Sequence, residues 1–498
     1  MHAKATPFRP TLTALCVVLG LAAFLVGSAA ADLAPPLSVQ WAFSAEPDSA
    51  NTTRLVLTED SVYFSHLGAL RCLDTKTGGE QWDFRPDNGA VSTSPVLWGE
   101  LIIVGATDSK LYALDAKTGR PRWDRLCASA ICPDPAILED MLMVAAEHMV
   151  YSIDPRTGQA DWICSLASAA RSGPVSDGSM LYFLGQDGSV QCVDGRQGRF
   201  RWSAQIQQGP RVFAPVVGQR RLIVATGNFV YGIARSGGIS WTAEMPAAVG
   251  GSPTVEGELL YVPCVDGQLY AMYARSGAPR RRVTYRVDDA LTASPLVADD
   301  IVAAGTATGL LYVFERDSGS VAWVYRCRAP DQPVDEAIEF GLYAPLQSDG
   351  GSLYCRTGTG DLYRFTSSAP DAFGPRFAEL TPEPGSAVPG ADSVAVTFAV
   401  TDDGSGVAPD SLQASIDGSP TKVTFDAVTG TASLRPTTLP DGSHIVKISA
   451  RDYRGNLGSA EWSFLSDVSI AAEPEEPGRA QPQTGFGARA RSSGRMGR

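Results

Sequence analysis

The feature that most constrains this chain is a short motif that recurs in register. "CLDTKTGGEQW" ends at Trp82 and "ALDAKTGRPRW" ends at Trp123. "SIDPRTGQADW", "CVDGRQGRFRW" and the one-shorter "GIARSGGISW" end at Trp162, Trp202 and Trp241. "AMYARSGAPRR" carries Arg281 in the Trp place, and "VFERDSGSVAW" ends at Trp323. The spacings are 41, 39, 40, 39, 40 and 42 residues. A second marker, a small or polar residue followed by proline, keeps phase with the first: Pro95, Pro135, Pro174, Pro215, Pro253, Pro295 and Pro345. Each of the first six lies 26 to 28 residues before its Trp or Arg281.

Between the markers each unit reads alike. "SPVLWGELIIVGATDSKLYALDAKTGRPRW" is a strand, a turn, an alternating strand, a polar turn, a second alternating strand, a Thr-Gly turn and a strand carrying the Trp. Alternation of period two marks strands, and no unit has the 3.6-residue apolar period of a helix. Four short antiparallel strands repeated about every 40 residues predict an all-β chain built as a β-propeller. The last unit, "YAPLQSDGGSLYCRTGTGDLYRF", has three strands and no Thr-Gly-Trp strand. Trp41 in "LSVQWAFSAE" lies 41 residues before Trp82 and supplies the missing one. An N-terminal strand that completes the last blade gives eight blades and removes open sheet edges. Seven blades is the alternative, because the first unit lacks the proline marker.

The Asp-x-x-Thr-Gly-x-x-x-Trp unit resembles the repeat of pyrroloquinoline-quinone (PQQ) dehydrogenases over roughly residues 36–368. Within that superfamily, the size and the lack of insertions look more like the BamB-like outer-membrane assembly factors. The resemblance implies that Trp41, Trp82, Trp123, Trp162, Trp202, Trp241 and Trp323 wedge neighbouring blades together. The residues agree: glycine serves the turn and the aromatic ring buries a large area. Arg281 departs from the pattern, and its guanidinium is expected to stack more weakly on an aromatic neighbour.

Residues 1–31 read as a secretory signal peptide: His2, Lys4 and Arg9, an apolar run over 12–26, then "GSAAAD" with small residues at Ala29 and Ala31. An uncleaved anchor is the alternative, but the run is short of the roughly 20 residues a spanning helix needs. Cys16, within that run, carries no lipoprotein signal. The mature chain is expected to have no membrane span and to be exported, to a periplasm or to the cell surface and beyond. Of the nine cysteines eight remain. Cys127 and Cys132 are near enough in sequence for a bridge, while Cys72 and Cys192 share one apolar repeat position. A disulfide framework is disfavoured in a domain this large, and a zinc site by the lack of a paired Cys-x-x-Cys and the few histidines.

Residues 369–375 form a linker by composition. Residues 376–466 hold about seven short strands with turn signals, as in "SVAVTFAVTDDGSGV" and "GSHIVKISARDYRGN". They predict a β-sandwich resembling bacterial immunoglobulin-like modules. Asp402 and Asp403, with Asp452 and Asn456, read either as a calcium site or as ordinary turn residues. Residues 467–498 are rich in Pro, Gly, Ser and charge and predict a disordered tail.

The net charge of −13 argues against nucleic acid, because phosphate binding needs clustered Lys and Arg. No G-x-S-x-G elbow exists, and the mature chain has only His66, His148 and His444, the first two read as solvated hairpin residues. A PQQ- and calcium-dependent dehydrogenase is the enzyme alternative. It is disfavoured because the family's adjacent cysteine pair and long inter-blade insertions are missing. No catalytic, cofactor or metal residue is assigned, and no cofactor is expected. What remains is a binding or scaffold protein with a protein partner in the envelope or outside the cell. Trp-to-Pro joints run 12 to 14 residues except the last, 22 residues from Trp323 to Pro345. The excess carries Asp331, Asp335, Glu336, Ile338, Glu339 and Phe340, with Tyr343 beside them. This acidic and apolar loop is the candidate partner contact.

Overall fold

The computed structural model describes residues 33–46, 53–131, 133–207, 209, 211, 213–298, 300–327, 341–389, 393–467 and 469–470. Among these the chain is β-structure, apart from one short 3-10 turn at Pro409–Ser411. Between Ser38 and Thr366 eight four-stranded antiparallel sheets follow one another, consistent with a β-propeller. The second unit is typical: Val96–Trp98, Leu101–Gly105, Lys110–Asp115 and Pro121–Leu126. The first strands of successive units touch one another from the second unit to the seventh, so they surround the ring's centre.

The strands follow from the burial pattern. Second strands such as Ser61–His66 and third strands such as Ser189–Asp194 are wholly buried, because both faces pack on neighbouring units. Fourth strands alternate exposed and half-buried residues, as in Pro121–Leu126 and Phe200–Gln205, since only one face meets a neighbour. The eighth unit takes its outer strand from the other end of the chain. Ser38–Phe43 pairs antiparallel with Leu362–Thr366, placing Val39 opposite Phe365 and Phe43 opposite Leu362. Trp41, Tyr354 and Leu362 of that unit share one apolar cluster with Leu55, Val62, Phe64 and Leu73 of the first, so the ring closes on itself.

Residues 376–467 form two further sheets. One orders Arg376–Thr381, Ser393–Thr401, Thr431–Thr438 and Val423–Asp426. The other orders Ala387–Pro389, Leu457–Asp467, Gly442–Arg451, Gln413–Ile416 and Ser419–Thr421. Val396, Phe398 and Leu434 from the first meet Ile416, Val446, Ile448, Trp462 and Phe464 from the second in one apolar cluster. No helix among the described residues is long and apolar enough to cross a membrane.

Candidate functional site: two faces of the ring

Antiparallel strands send their connections to opposite ends. Turns joining strands one to two and three to four emerge on one face of the ring. Hairpins joining two to three, and the joints between units, emerge on the other.

On the turn face the repeated motif has a defined job. Asp115 Oδ1 accepts hydrogen bonds from the Thr118 N–H at 2.9 Å and from its hydroxyl at 2.8 Å, and Oδ2 accepts from Arg122 at 2.6 Å. The Arg122 and Thr118 hydrogen bonds hold the Asp115 carboxyl at a pKa of about 2. Gly119 is needed twice over: its φ is +69°, and a Cβ there would lie 2.6 Å from the Trp82 ring of the preceding unit. Trp82 in turn donates its indole N–H to the Ala116 carbonyl at 3.2 Å. The same relation links Trp41 to Thr75 (2.8 Å), Trp123 to Pro155 (2.9 Å), Trp202 to Arg235 (2.9 Å) and Trp241 to Ala274 (3.2 Å). Trp162 lies against Gly198.

Two units break this relation. Arg281 is exposed and is not over any aromatic ring among the described residues, in contrast to the expected stacking. Its place is taken by Tyr285, four residues on, where the sixth unit's fourth strand has shrunk to Tyr285–Arg286. The Tyr285 ring packs on Tyr261 and Phe314, and its hydroxyl donates to the Arg316 carbonyl at 2.6 Å. Arg316 follows Glu315 as Ala116 follows Asp115, so tyrosine makes the bond that tryptophan makes elsewhere.

The second break is at Trp323. The eighth unit has no Thr-Gly turn, because its third and fourth strands come from opposite ends of the chain. Trp323 donates instead to the Ser405 carbonyl at 2.8 Å, in the C-terminal unit. Residues 402–406 mimic the missing turn. Asp402 Oδ1 accepts from the N–H groups of Gly404 (3.1 Å) and Gly406 (2.8 Å), and Gly406 has φ +86°. Val39 of the outer strand donates to the Gly404 carbonyl at 3.2 Å, and Arg454 reaches the Ser38 hydroxyl at 3.1 Å. The C-terminal unit thus fills a vacant repeat position on the turn face.

Carboxylate oxygens of Asp371, Asp402 and Asp452 lie within 4.8 Å of one another at this junction. Burial, followed by the neighbouring Asp371 and Asp452 charges, raises the Asp402 pKa to about 6, against the pull of the Gly406 and Gly404 N–H groups. The arrangement offers the oxygen donors that a hard cation takes. It differs from the set read in the sequence. Asp403 turns away to pair with Arg376, Asn456 donates to Asp452 at 2.7 Å and to the Asp371 carbonyl at 3.0 Å, and Asp371 comes from the linker. A cleft of about 340 Å³ also opens between the fifth and sixth units, lined by Arg220, Arg221, Glu258, Tyr273 and Arg275.

On the joint face, the joints of the second to seventh units start by bonding to their own unit's hairpin, as Cys127 N–H to Ser109, Leu166 to His148 and Cys327 to Gly309. The long joint follows Val321–Arg326. Asp331, Asp335, Glu336, Ile338, Glu339 and Phe340 lie outside the described residues; Tyr343 is half-buried where the chain returns. That return is anchored. Leu342 N–H donates to Thr306, its carbonyl accepts from the Thr292 hydroxyl at 2.8 Å, and the Gly341 carbonyl accepts from Gly358. Cys327 and Gly341, the residues flanking the insert, therefore sit on the joint face, opposite the C-terminal unit.

Beside it lies a buried polar cluster that sequence reading missed. Arg356 donates to the Ser65 carbonyl (3.3 Å) and the Thr53 hydroxyl (3.1 Å), lies 3.4 Å from His66 Nδ1, and covers the Phe64 ring. His66 is wholly buried, which corrects its reading as a solvated hairpin residue; His148 is exposed. The eighth unit's hairpin is the cause, since a Cβ on Gly360 would lie 2.6 Å from the His66 ring. The bridge considered between Cys127 and Cys132 falls on Cys132, outside the described residues.

Residues 66–213 and 186–368 match the PQQ_2 family model, described as outer membrane protein assembly factor BamB. A protein of that description from Burkholderia pseudomallei is 26% identical over 156 residues, 30% of this chain and 40% of that one. The chain thus spans about two fifths of the length of this curated relative. The crystal structure of BamB from Moraxella catarrhalis covers 66% of this chain and 99% of its own at 16% identity and TM-score 0.53. Quinohemoprotein alcohol dehydrogenase from Comamonas testosteroni covers 68% of this chain and 78% of its own at 14% identity and TM-score 0.51. At these identities the likeness is one of fold.

Proposed function

The chain belongs to the PQQ-like repeat family described as outer membrane protein assembly factor BamB, and on that premise we propose that it is an exported, non-enzymatic binding or scaffold protein. Residues 1–31 direct export, to the periplasm or the cell surface, and the partner is a protein of the envelope or the extracellular space. The ring has eight blades, and residues 376–466 are an immunoglobulin-like module fused to it. The observation that carries the reading is the division of the two faces. The C-terminal unit holds the turn face through Trp323 and Ser405, while Cys327 and Gly341, the residues flanking the long joint's insert, lie on the joint face. Asp331, Asp335, Glu336, Ile338, Glu339, Phe340 and Tyr343 are then the residues assigned to the partner contact.

The quinoprotein dehydrogenase reading is favoured only by likeness of fold. It needs calcium ligands beside a quinone in the central funnel. Among the described residues the cluster of three carboxylates lies instead at the junction with the C-terminal unit, at the ring's edge. The inner strands spend their polar groups on each other: Ser94 on Asp134, Thr254 on the Pro295 carbonyl, Gln347 on the Leu55 backbone. These engaged polar groups favour the binding reading. Addition of PQQ and calcium to the purified chain tests the choice. Unchanged quinone absorbance and no dye-linked alcohol oxidation support the binding reading, and a shifted absorbance with oxidation overturns it.

A further inference from the structure

Cys327 closes the seventh unit's outer strand and Cys355 lies in the eighth unit's second strand, Ser352–Arg356. Their sulfur atoms are 3.4 Å apart. Both side chains are buried, at 0% and 1% exposure, within the cluster that holds Trp323, Tyr325, Leu342, Tyr363 and Phe365. The corresponding pairs at other joints are apolar, or half so: Cys127 with Val144, Leu166 with Phe183, Ile206 with Val224, Met245 with Val262. At this joint alone among those four and itself are both positions cysteine. No third metal-type donor joins them among the described residues.

We infer that Cys327 and Cys355 form a disulfide that ties the seventh unit to the eighth. A disulfide S–S bond is about 2.05 Å long, so the sulfurs must approach by about 1.3 Å, within reach of small side-chain rotations. The oxidant is a disulfide of the glutathione or protein class. One cysteine thiolate attacks it and expels one thiolate. The second cysteine then attacks the first cysteine's sulfur and expels the other. Two thiols lose two electrons and two protons, and the oxidant leaves as two thiols. Burial raises the Cys327 thiol well above its ordinary pKa, so the exchange belongs to folding, before the ring closes. The bond then closes a loop from Cys327 to Cys355 and ties the seventh unit to the eighth, whose outer strand is the N-terminal Ser38–Phe43.

The test uses the full chain refolded from guanidinium in a glutathione redox buffer, which supplies the oxidant whatever the compartment of the native protein. The folded fraction is denatured without reductant, alkylated and digested. A Cys327–Cys355 linked peptide two hydrogens lighter than its parts is expected, with Cys72, Cys192 and Cys264 alkylated. The oxidised chain should unfold at a higher guanidinium midpoint than the reduced chain. Cys355→Ala should abolish that difference while leaving the Cys327 thiol alkylated. Alkylation of both Cys327 and Cys355 in the folded wild-type fraction, or either one paired with another cysteine, overturns the inference.

Discussion

Trp323 donates its indole N–H to the Ser405 carbonyl, 2.8 Å away, across the boundary between the ring and the C-terminal unit. It is wholly buried and stacks on Tyr325, with Phe365 against its edge. Replacing Trp323 by Phe removes that donor, strands a buried carbonyl and leaves a gap. The expected cost is about 2–4 kcal/mol. Trp82→Phe, at a half-buried tryptophan whose bond stays within the ring, should cost about half as much. Limited proteolysis distinguishes them: Trp323→Phe should speed cleavage at residues 369–375, and Trp82→Phe should not.

Tyr285 carries the contact that Arg281 does not. Tyr285→Phe should destabilise the chain by about 1–2 kcal/mol, because the hydroxyl's hydrogen bond to the Arg316 carbonyl is lost. Arg281→Ala, at an exposed side chain, should stay within about 0.5 kcal/mol of wild type. Denaturant midpoints of the two variants check this.

These two cases mark where sequence reading stops. The period, the turn chemistry of Asp115 and Gly119 and the tryptophan wedge are local, and a 40-residue period displays them repeatedly. Tyr285 escapes because it makes the same bond from a different register position. Ser405 escapes because it lies 82 residues from Trp323 and its turn, "DDGSG", reads equally well as a loop of the C-terminal unit. Asp371 looked like linker, and Cys327 and Cys355 meet only when units seven and eight pack. Sequence did single out the long joint, because length is visible without a structure.

The junction should weaken as pH rises. Asp402 in the folded chain has a pKa of about 6, above its ordinary 3.8. A raised folded value means stabilisation that is fully present below the unfolded pKa and lost as pH rises through about 6. Asp402→Asn keeps an oxygen for the Gly404 and Gly406 N–H groups. It should flatten this dependence and stabilise the chain by about 1 kcal/mol at pH 7.5. Unfolding midpoints at pH 5 and 7.5 measure it.

His444 acts in a separate window. Nδ1 faces Asp417 at 2.6 Å and Nε2 faces the Pro440 carbonyl at 2.8 Å, so both nitrogens donate only in the imidazolium. Burial alone would lower its pKa, but the Asp417 hydrogen bond and the Pro440 carbonyl outweigh burial and raise it. Its stabilisation is therefore present below the unfolded value of about 6.5 and lost as pH rises through the folded one. The His444 hydrogen bond lowers Asp417, whose contribution is lost as pH falls below about 4. The stability gap between wild type and His444→Gln should be widest between these limits and narrow on both sides, read from midpoints across pH 3.5 to 9.

The most direct test of the binding reading is in-cell photocrosslinking, with a photoreactive residue placed at Glu336, at Glu339 or, on the turn face, at the exposed Lys117. One envelope or extracellular protein captured from both Glu336 and Glu339, and not from Lys117, is the predicted result. Capture from Lys117 alone, with none from the insert, would contradict it.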